Sequence, residues 1–249
     1  MYYYVYDEFV QDAKHEKELA LIETRLTDLG ISGKIARLAL FRDASELIRD
    51  EVRKGVKTVV AVGNDGTLRK VIGAVARAGV AMAVIPVGTS NNTIASMLGI
   101  KPGAEACEIV AARIVQNLDM GSINDRRFIH QVHFPKTKGL RVECEHQFTL
   151  QVPPGGGFEV RNLAYEEPGL RAANPLDGKL DLAKCAEKKS GWFSKQQAPA
   201  TCIPVTSAII YSERPTTALV DGEAVEGTEF HIKVVPKSLK LIAGKGRIF

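Results

Sequence analysis

Residues 57–67 read KTVVAVGNDGT and residues 80–92 read VAMAVIPVGTSNN. Each pairs a short apolar run with a glycine-bearing loop, and each loop opens onto a helical pattern, over residues 68–78 in the first case and about 92–98 in the second. Runs this short, rich in Val and without polar alternation, suit strands buried on both faces. Two strand–loop–helix units in succession predict a parallel sheet with right-handed helical crossovers.

The pattern extends in both directions. Upstream, residues 2–6 (YYYVY) are aromatic and β-branched enough for an opening strand, and residues 17–29 place Leu19, Ile22, Leu26 and Leu29 on one helical face before Gly30. Residues 35–41 alternate toward a strand, and Asp43 or Ser45 is positioned to cap a helix that runs through Lys54 and stops at Gly55. Downstream, residues 104–116 read as a last amphipathic helix. After about residue 121 the texture changes: residues 128–134, 139–152, 158–163 and 179–185 look like strands separated by Pro and Gly, with no long helix. Residues 187–204 read as an exposed loop, in which Lys188, Lys189, Trp192, Phe193 and Lys195 suit either solvent or a membrane surface. The expected organisation is an α/β nucleotide-binding domain over residues 1–121. A mostly β domain on the substrate side follows over residues 122–249, its tail returning to the first.

Composition narrows the class. A chain of 249 residues with 45% hydrophobic and 25% charged residues is neither disordered nor a coiled coil, and it can bury a sizeable core. Its net charge, 33 − 29 = +4, tolerates an anionic ligand or membrane without demanding either, and no nucleic-acid partner is expected. Cys107, Cys144, Cys185 and Cys202 are widely spaced with no CxxC pair, and the N-terminus lacks the layout of a signal peptide, so a cytoplasmic setting is expected. The most apolar stretch, residues 80–88, is far short of the ~20 residues a membrane-spanning helix needs, so any membrane contact is expected to be peripheral.

Open α/β sheets bind ligands at the carboxyl ends of their strands, which is where both loops fall. In the first loop the glycines allow a tight turn close to a phosphate, and the amides opening the next helix offer an anion site. Asp65 needs a different partner: a ribose hydroxyl, Mg²⁺, or backbone N–H groups that it caps. A plain capping Asp would explain this loop if it stood alone. In the second, Gly88 permits the turn, Thr89 and Ser90 offer hydroxyls, and Asn91 and Asn92 can bond base, ribose or backbone.

The pairing of GNDGTL with IPVGTSNN, followed by Val220-Asp221-Gly222-Glu223, resembles the diacylglycerol kinase catalytic domain and the bacterial lipid kinases related to it. Those carry GGDGT, P-x-G-T-x-N and a late DGE in this order. The first motif is shared with NAD kinases and 6-phosphofructokinases, so the later two decide the resemblance. It implies a two-domain NAD kinase/diacylglycerol kinase-like fold with ATP in the interdomain cleft, and phosphoryl transfer to a lipid hydroxyl in the presence of Mg²⁺. Matched by motif, Gly63, Asn64, Asp65, Gly66 and Thr67, with Gly88, Thr89 and Asn91, would hold the nucleotide. Glu223 would be the general base, supported by Asp221. Residues 174–181, NPLDGKLD, resemble the family's DGxLD segment, which points to a structural Mg²⁺ on Asp177 with the carbonyls of Asn174 and Lys179. A β-turn with Asp-Gly at its tip is the competing reading.

The chain also departs from the pattern. Asn64 replaces a glycine, which a left-handed backbone there would tolerate. Arg69 and Lys70 replace an Asn-Glu pair and could meet ATP phosphates instead, Asn92 replaces an Asp, and Tyr6-Asp7-Glu8 stand where Asn-Pro is usual. The implied role is a kinase of phospholipid biosynthesis acting at the membrane surface, with a homo-oligomer left open. The alternatives are a catalytically impaired nucleotide-binding protein of the same fold and an NAD kinase-like enzyme. His130 and His133 could ligate a metal with Cys144 and His146, although strand alternation gives them no obvious common face.

Overall fold

The computed structural model describes residues 1–38, 44–135, 138–155, 157–184 and 201–249. The chain divides into two compact units, Met1–Leu118 with Lys237–Ile248, and Asp119–Pro236 with Phe249.

The first unit is a parallel sheet with helices. In chain order it holds β1 (Tyr2–Tyr6), α1 (Glu16–Asp28), β2 (Lys34–Arg37), α2 (Ala44–Arg53), β3 (Thr58–Gly63), α3 (Asp65–Ala78), β4 (Ala81–Pro86), α4 (Thr93–Met97), α5 (Glu105–Ala112) and the start of β5 (Val115–Ile123). The strands run β2-β1-β3-β4, each parallel to its neighbour. The parallel α/β class is the one the sequence predicts. Val59, Val60, Ala61 and Val62 of β3 are all buried, as are Met82 through Ile85 of β4, the burial on both faces expected of central parallel strands. Leu68, Val71, Ile72 and Val75 form the buried stripe of α3, which ends at Gly79 with φ +67. Each such fully buried Val or Leu side chain contributes about 1.5–3 kcal/mol of transfer free energy.

Some boundaries differ from expectation. The predicted strand at residues 35–41 is β2, ending at Arg37, and residues 39–43, including the candidate cap Asp43, lie outside the described residues. The helix expected over residues 104–116 stops at Ala112, where Arg113 turns left-handed (φ +52). Val115 opens a strand instead, and the returning tail donates Ala243 N–H to Ile114 O at 3.1 Å, so tertiary pairing overrides the helical period.

The second unit is β-rich. After β5 come β6 (Arg126–Phe128), β7 (Gln131–Phe134), β8 (Leu140–Cys144), β9 (Phe148–Val152), β10 (Phe158–Arg161), β11 (Leu180–Lys184), β12 (Thr201–Val205), β13 (Ser207–Val220) and β14 (Glu223–Ile242). Their pairings are antiparallel, in the path β12-β11-β10-β7-β13-β14, with β8 and β9 off β13. Phe134 stands edge-on to Phe230 (5.4 Å between centroids) within a core that includes Phe128, Val142, Val160, Leu182 and Ile210.

Residues 201–204, expected in a loop, pair with β11 as part of β12, while the basic and aromatic residues at 188–195 lie outside the described residues. The long strand β13 is obscured in the sequence pattern because Glu213-Arg214-Pro215 interrupts the alternation. That interruption is a register shift between Tyr211 and Thr216, which accommodates a proline without a ladder N–H. Residues Lys237–Ile248 belong to the first unit, where Lys240 and Leu241 pair parallel with Ala81 and Met82. No helix among the described residues is long and apolar enough to cross a membrane.

Candidate functional site

In the first unit the chain leaves β1 toward β2 on one side and leaves β3 toward β4 on the other. The topological switch point, where open α/β sheets form their ligand crevice, therefore lies between the carboxyl ends of β1 and β3. Asp7 follows β1, and residues 63–67 follow β3. The buried Asp7 carboxylate accepts the Thr67 hydroxyl at 2.7 Å, Lys70 Nζ at 2.9 Å and the Glu8 N–H at 2.7 Å. Lys70 therefore meets a carboxylate of the protein itself, with its side chain still half exposed. Asp7 itself enters the sequence reading only as a departure from a motif. Its place immediately after the first buried strand is the signal that could have found it.

Gly63 is required by packing, since a Cβ there would lie 2.0 Å from Thr67 Oγ1. Asn64 is not left-handed. At φ −126 and ψ −168 it is extended and caps α3, its Oδ1 accepting the Gly66 N–H at 2.8 Å and the Thr67 N–H at 3.4 Å. Thr67 Oγ1 accepts the Asn64 N–H at 3.0 Å in return, completing a capping box. Asn is tolerated here because it caps, not because the backbone is left-handed.

Asp65 joins the two loops. Its N–H donates to Asn91 O at 2.8 Å, and its carboxylate accepts the Ile94 N–H at 3.2 Å from each oxygen. Of the partners open to it in the sequence, backbone N–H groups are the ones it meets. Burial pushes its pKa up, opposed by bonds from backbone amides at residues 93–95 and by the charge of Arg69. The amides of Asp65, Gly66 and Thr67 all have acceptors within the protein, so the anion site expected at the start of α3 is filled internally.

In the second loop Gly88 is left-handed (φ +76), and its N–H donates to the Glu18 carboxylate at 3.0 and 3.2 Å. The Asn92 amide donates to Gly88 O at 2.8 Å and so fixes the loop's closure. Thr89, Ser90 and Asn91 are exposed, and Asn91 is left-handed at φ +58. The hydroxyls assigned to phosphate binding therefore remain at the surface.

In the second unit, Asp221 and Gly222 both have positive φ (+47 and +94) and connect β13 to β14 across the Val220–Glu223 pair, the geometry of a two-residue type I′ hairpin. The buried Asp221 carboxylate accepts three backbone N–H groups, from Ile129 (2.9 Å), His130 (3.0 Å) and Gln131 (2.8 Å). Burial outweighs those bonds and holds its pKa above the usual carboxylate range. With its oxygens engaged this way, Asp221 ties the hairpin to the backbone of residues 129–131. Glu223 opens β14 with its side chain 55% exposed and 3.5 Å from Arg126 Nη1.

Residues 174–181 form a hydrogen-bonded turn. Asn174 Oδ1 accepts the Leu176 N–H (3.1 Å), Asp177 Oδ1 accepts the Lys179 N–H (2.9 Å), and Gly178, at φ +73, donates its N–H to Asp119 Oδ2 (2.7 Å). Asp181 is buried against Arg171 at 2.6 Å. Among the described residues no group of three or more His, Cys, Asp or Glu side chains could hold a metal. His130 bonds Leu163 O, whereas His133 and His146 face Glu159 and Glu143, so the histidine cluster weighed in the sequence does not form. Burial pushes the Cys107 thiol up to about 11, which makes it an inert core residue.

A parallel sheet with two glycine-bearing loops at its carboxyl ends, followed by a β unit that presents an Asp-Gly-Glu hairpin, makes this a mixed α/β protein whose class the comparisons with known proteins define. The model of the diacylglycerol kinase catalytic domain matches residues 3–123. The protein named probable lipid kinase YegS from Salmonella newport (strain SL254) is 34% identical over 87% of this chain and 88% of its own, and that from Salmonella arizonae is 33% identical over the same shares. The crystal structure of a diacylglycerol kinase from Bacillus anthracis str. Sterne superposes with a TM-score of 0.78 at 16% identity, covering 99% of this chain and 98% of that one. The chain belongs to the diacylglycerol kinase catalytic-domain family of lipid kinases, and so to the phosphotransferases.

Proposed function

We propose that this protein is an ATP-dependent lipid kinase that phosphorylates a hydroxyl of diacylglycerol or a related lipid, acting from the cytoplasm at a membrane surface. The observation that carries the reading is the survival of all three family motifs at structured positions, within a chain about one-third identical to lipid kinases along most of its length. The first unit binds the nucleotide through residues 63–67 and 88–91. The second unit supplies Glu223, which takes the proton from the acceptor hydroxyl as that oxygen attacks the γ-phosphorus and ADP leaves. Asp221 acts through the hairpin, setting where Glu223 stands. Asp177 with the carbonyls of Asn174 and Lys179 is an all-oxygen donor set that suits Mg²⁺, whose bound charge supports the fold of the substrate-side unit.

The test is Glu223→Gln. ATP affinity is expected to stay within a factor of about two, while transfer to lipid falls on the order of 10²–10⁴-fold, the usual worth of a general base. Unchanged turnover would remove Glu223 from this role. A second reading, a nucleotide-binding protein without transfer activity, is favoured by one observation: the amides at α3 and at Gly88 already have acceptors within the protein. ATP binding without any phosphorylated product would select it.

A further inference from the structure

The acceptor on the Gly88 amide is a carboxylate from a distant helix. A left-handed glycine in a loop at the carboxyl end of a parallel strand turns its N–H outward, the arrangement that receives a ligand oxyanion. Here the oxyanion is the protein's own. Both Glu18 oxygens lie within hydrogen-bond distance of Gly88 N, at 3.0 and 3.2 Å, although Glu18 sits on α1, seventy residues away. The arrangement is supported from behind. His15 Nδ1 lies 3.5 Å from Glu18 Oε2, the His15 ring stands edge-on to Phe9 (5.6 Å between centroids), and a Cβ on Gly88 would meet His15 Cε1 at 3.2 Å. The Glu18 side chain is 29% exposed, so solvent reaches it and it can swing out without unfolding the helix.

We propose that Glu18 is a specificity-determining residue of the second loop: its carboxylate occupies the position of a ligand phosphate on the Gly88 N–H and must be displaced before a nucleotide phosphate can bind there. This rests on the reading of residues 88–91 as part of the nucleotide site. A phosphate that arrives meets an occupied donor and a like charge, so every ligand that places a phosphate at Gly88 is disfavoured by the same factor. A ligand without phosphate is unaffected. The loop thereby selects for ligands whose remaining contacts are strong enough to expel the carboxylate.

The experiment compares the full-length protein with Glu18→Gln and Glu18→Ala by calorimetric titration with ATP and with adenosine in Mg²⁺ buffer, alongside the Gly88 amide resonance. Both variants are expected to bind ATP on the order of tenfold more tightly, the equivalent of one charge-assisted hydrogen bond, with adenosine affinity unchanged. The Gly88 amide proton should shift upfield in Glu18→Ala, which has no acceptor, and less in Glu18→Gln, which keeps one. Equal or weaker ATP binding in both variants, with ATP still bound by the unaltered protein, overturns the role of Glu18 and leaves the kinase reading standing. An unmoved Gly88 resonance overturns it as well. Failure of all three proteins to bind ATP overturns the nucleotide reading itself, and the inference with it.

Discussion

Asp221 and Glu223 are two residues apart in one short motif, and their surroundings give them opposite tasks. The first is buried with three backbone N–H groups on its carboxylate, the second is more than half exposed beside Arg126. Asp221→Asn tests this division. An amide has one acceptor oxygen where the carboxylate has two, so its NH₂ would face the Ile129 N–H and leave that buried donor unpaired. The variant is expected to lose about 1–3 kcal/mol of stability in urea unfolding, and an unchanged midpoint would show that the carboxylate is not what pins the hairpin. The motif's position was legible in the sequence, and so was the Asp-Gly turn weighed for its neighbour at residues 177–178. The burial of Asp221 was not, because its donors lie some ninety residues upstream in the backbone of residues 129–131. Asp7 shows the same limit: its partners Thr67 and Lys70 are sixty residues away, and only the sheet order brings them together.

Among the elements, β1, β3, β4 and α3 were legible because buried parallel strands and amphipathic helices write their burial directly into composition. The end of α5 and the run of β13 were not, since the first is decided by pairing with the tail and the second is broken by Pro215 at a register shift. The link between α3 and α4 is likewise tertiary: Asp65 at the head of α3 caps the amide of Ile94 in α4. Its pKa is raised on folding from 3.8, chiefly by burial, so the folded state holds the Asp65 proton more tightly than the unfolded chain does. Stability from this group therefore falls as pH rises from 3.8 to its folded pKa, and stays reduced above that. Asp65→Asn keeps an acceptor for Ile94 while removing the titration. Relative to the unaltered protein, the variant should gain stability progressively as pH is raised from 3.5 toward neutrality in a series of urea unfolding curves. A constant difference across that range would show that burial of the charge has no energetic consequence.

At the scale of the whole molecule, the α/β class and the family were readable from three short motifs, whereas the acceptor chemistry was not. The motifs sit where backbone geometry constrains residue type: a glycine that packs against Thr67, a glycine with positive φ at 88, and an Asp-Gly hairpin turn. The internal capping of the loop amides by Asn64 and Glu18 left no signature in the sequence beyond a departure from a glycine and an unremarked acidic residue on the first helix. That capping is also what makes catalysis the claim most in need of a direct test. The measurement is transfer of label from γ-labelled ATP, with Mg²⁺, into a mixed lipid extract by the purified full-length protein, run beside the same assay with NAD. The account predicts labelled phospholipid, its formation reduced on the order of 10²–10⁴-fold in Glu223→Gln, and no labelled NADP. ATP binding with no labelled product of either kind would contradict it.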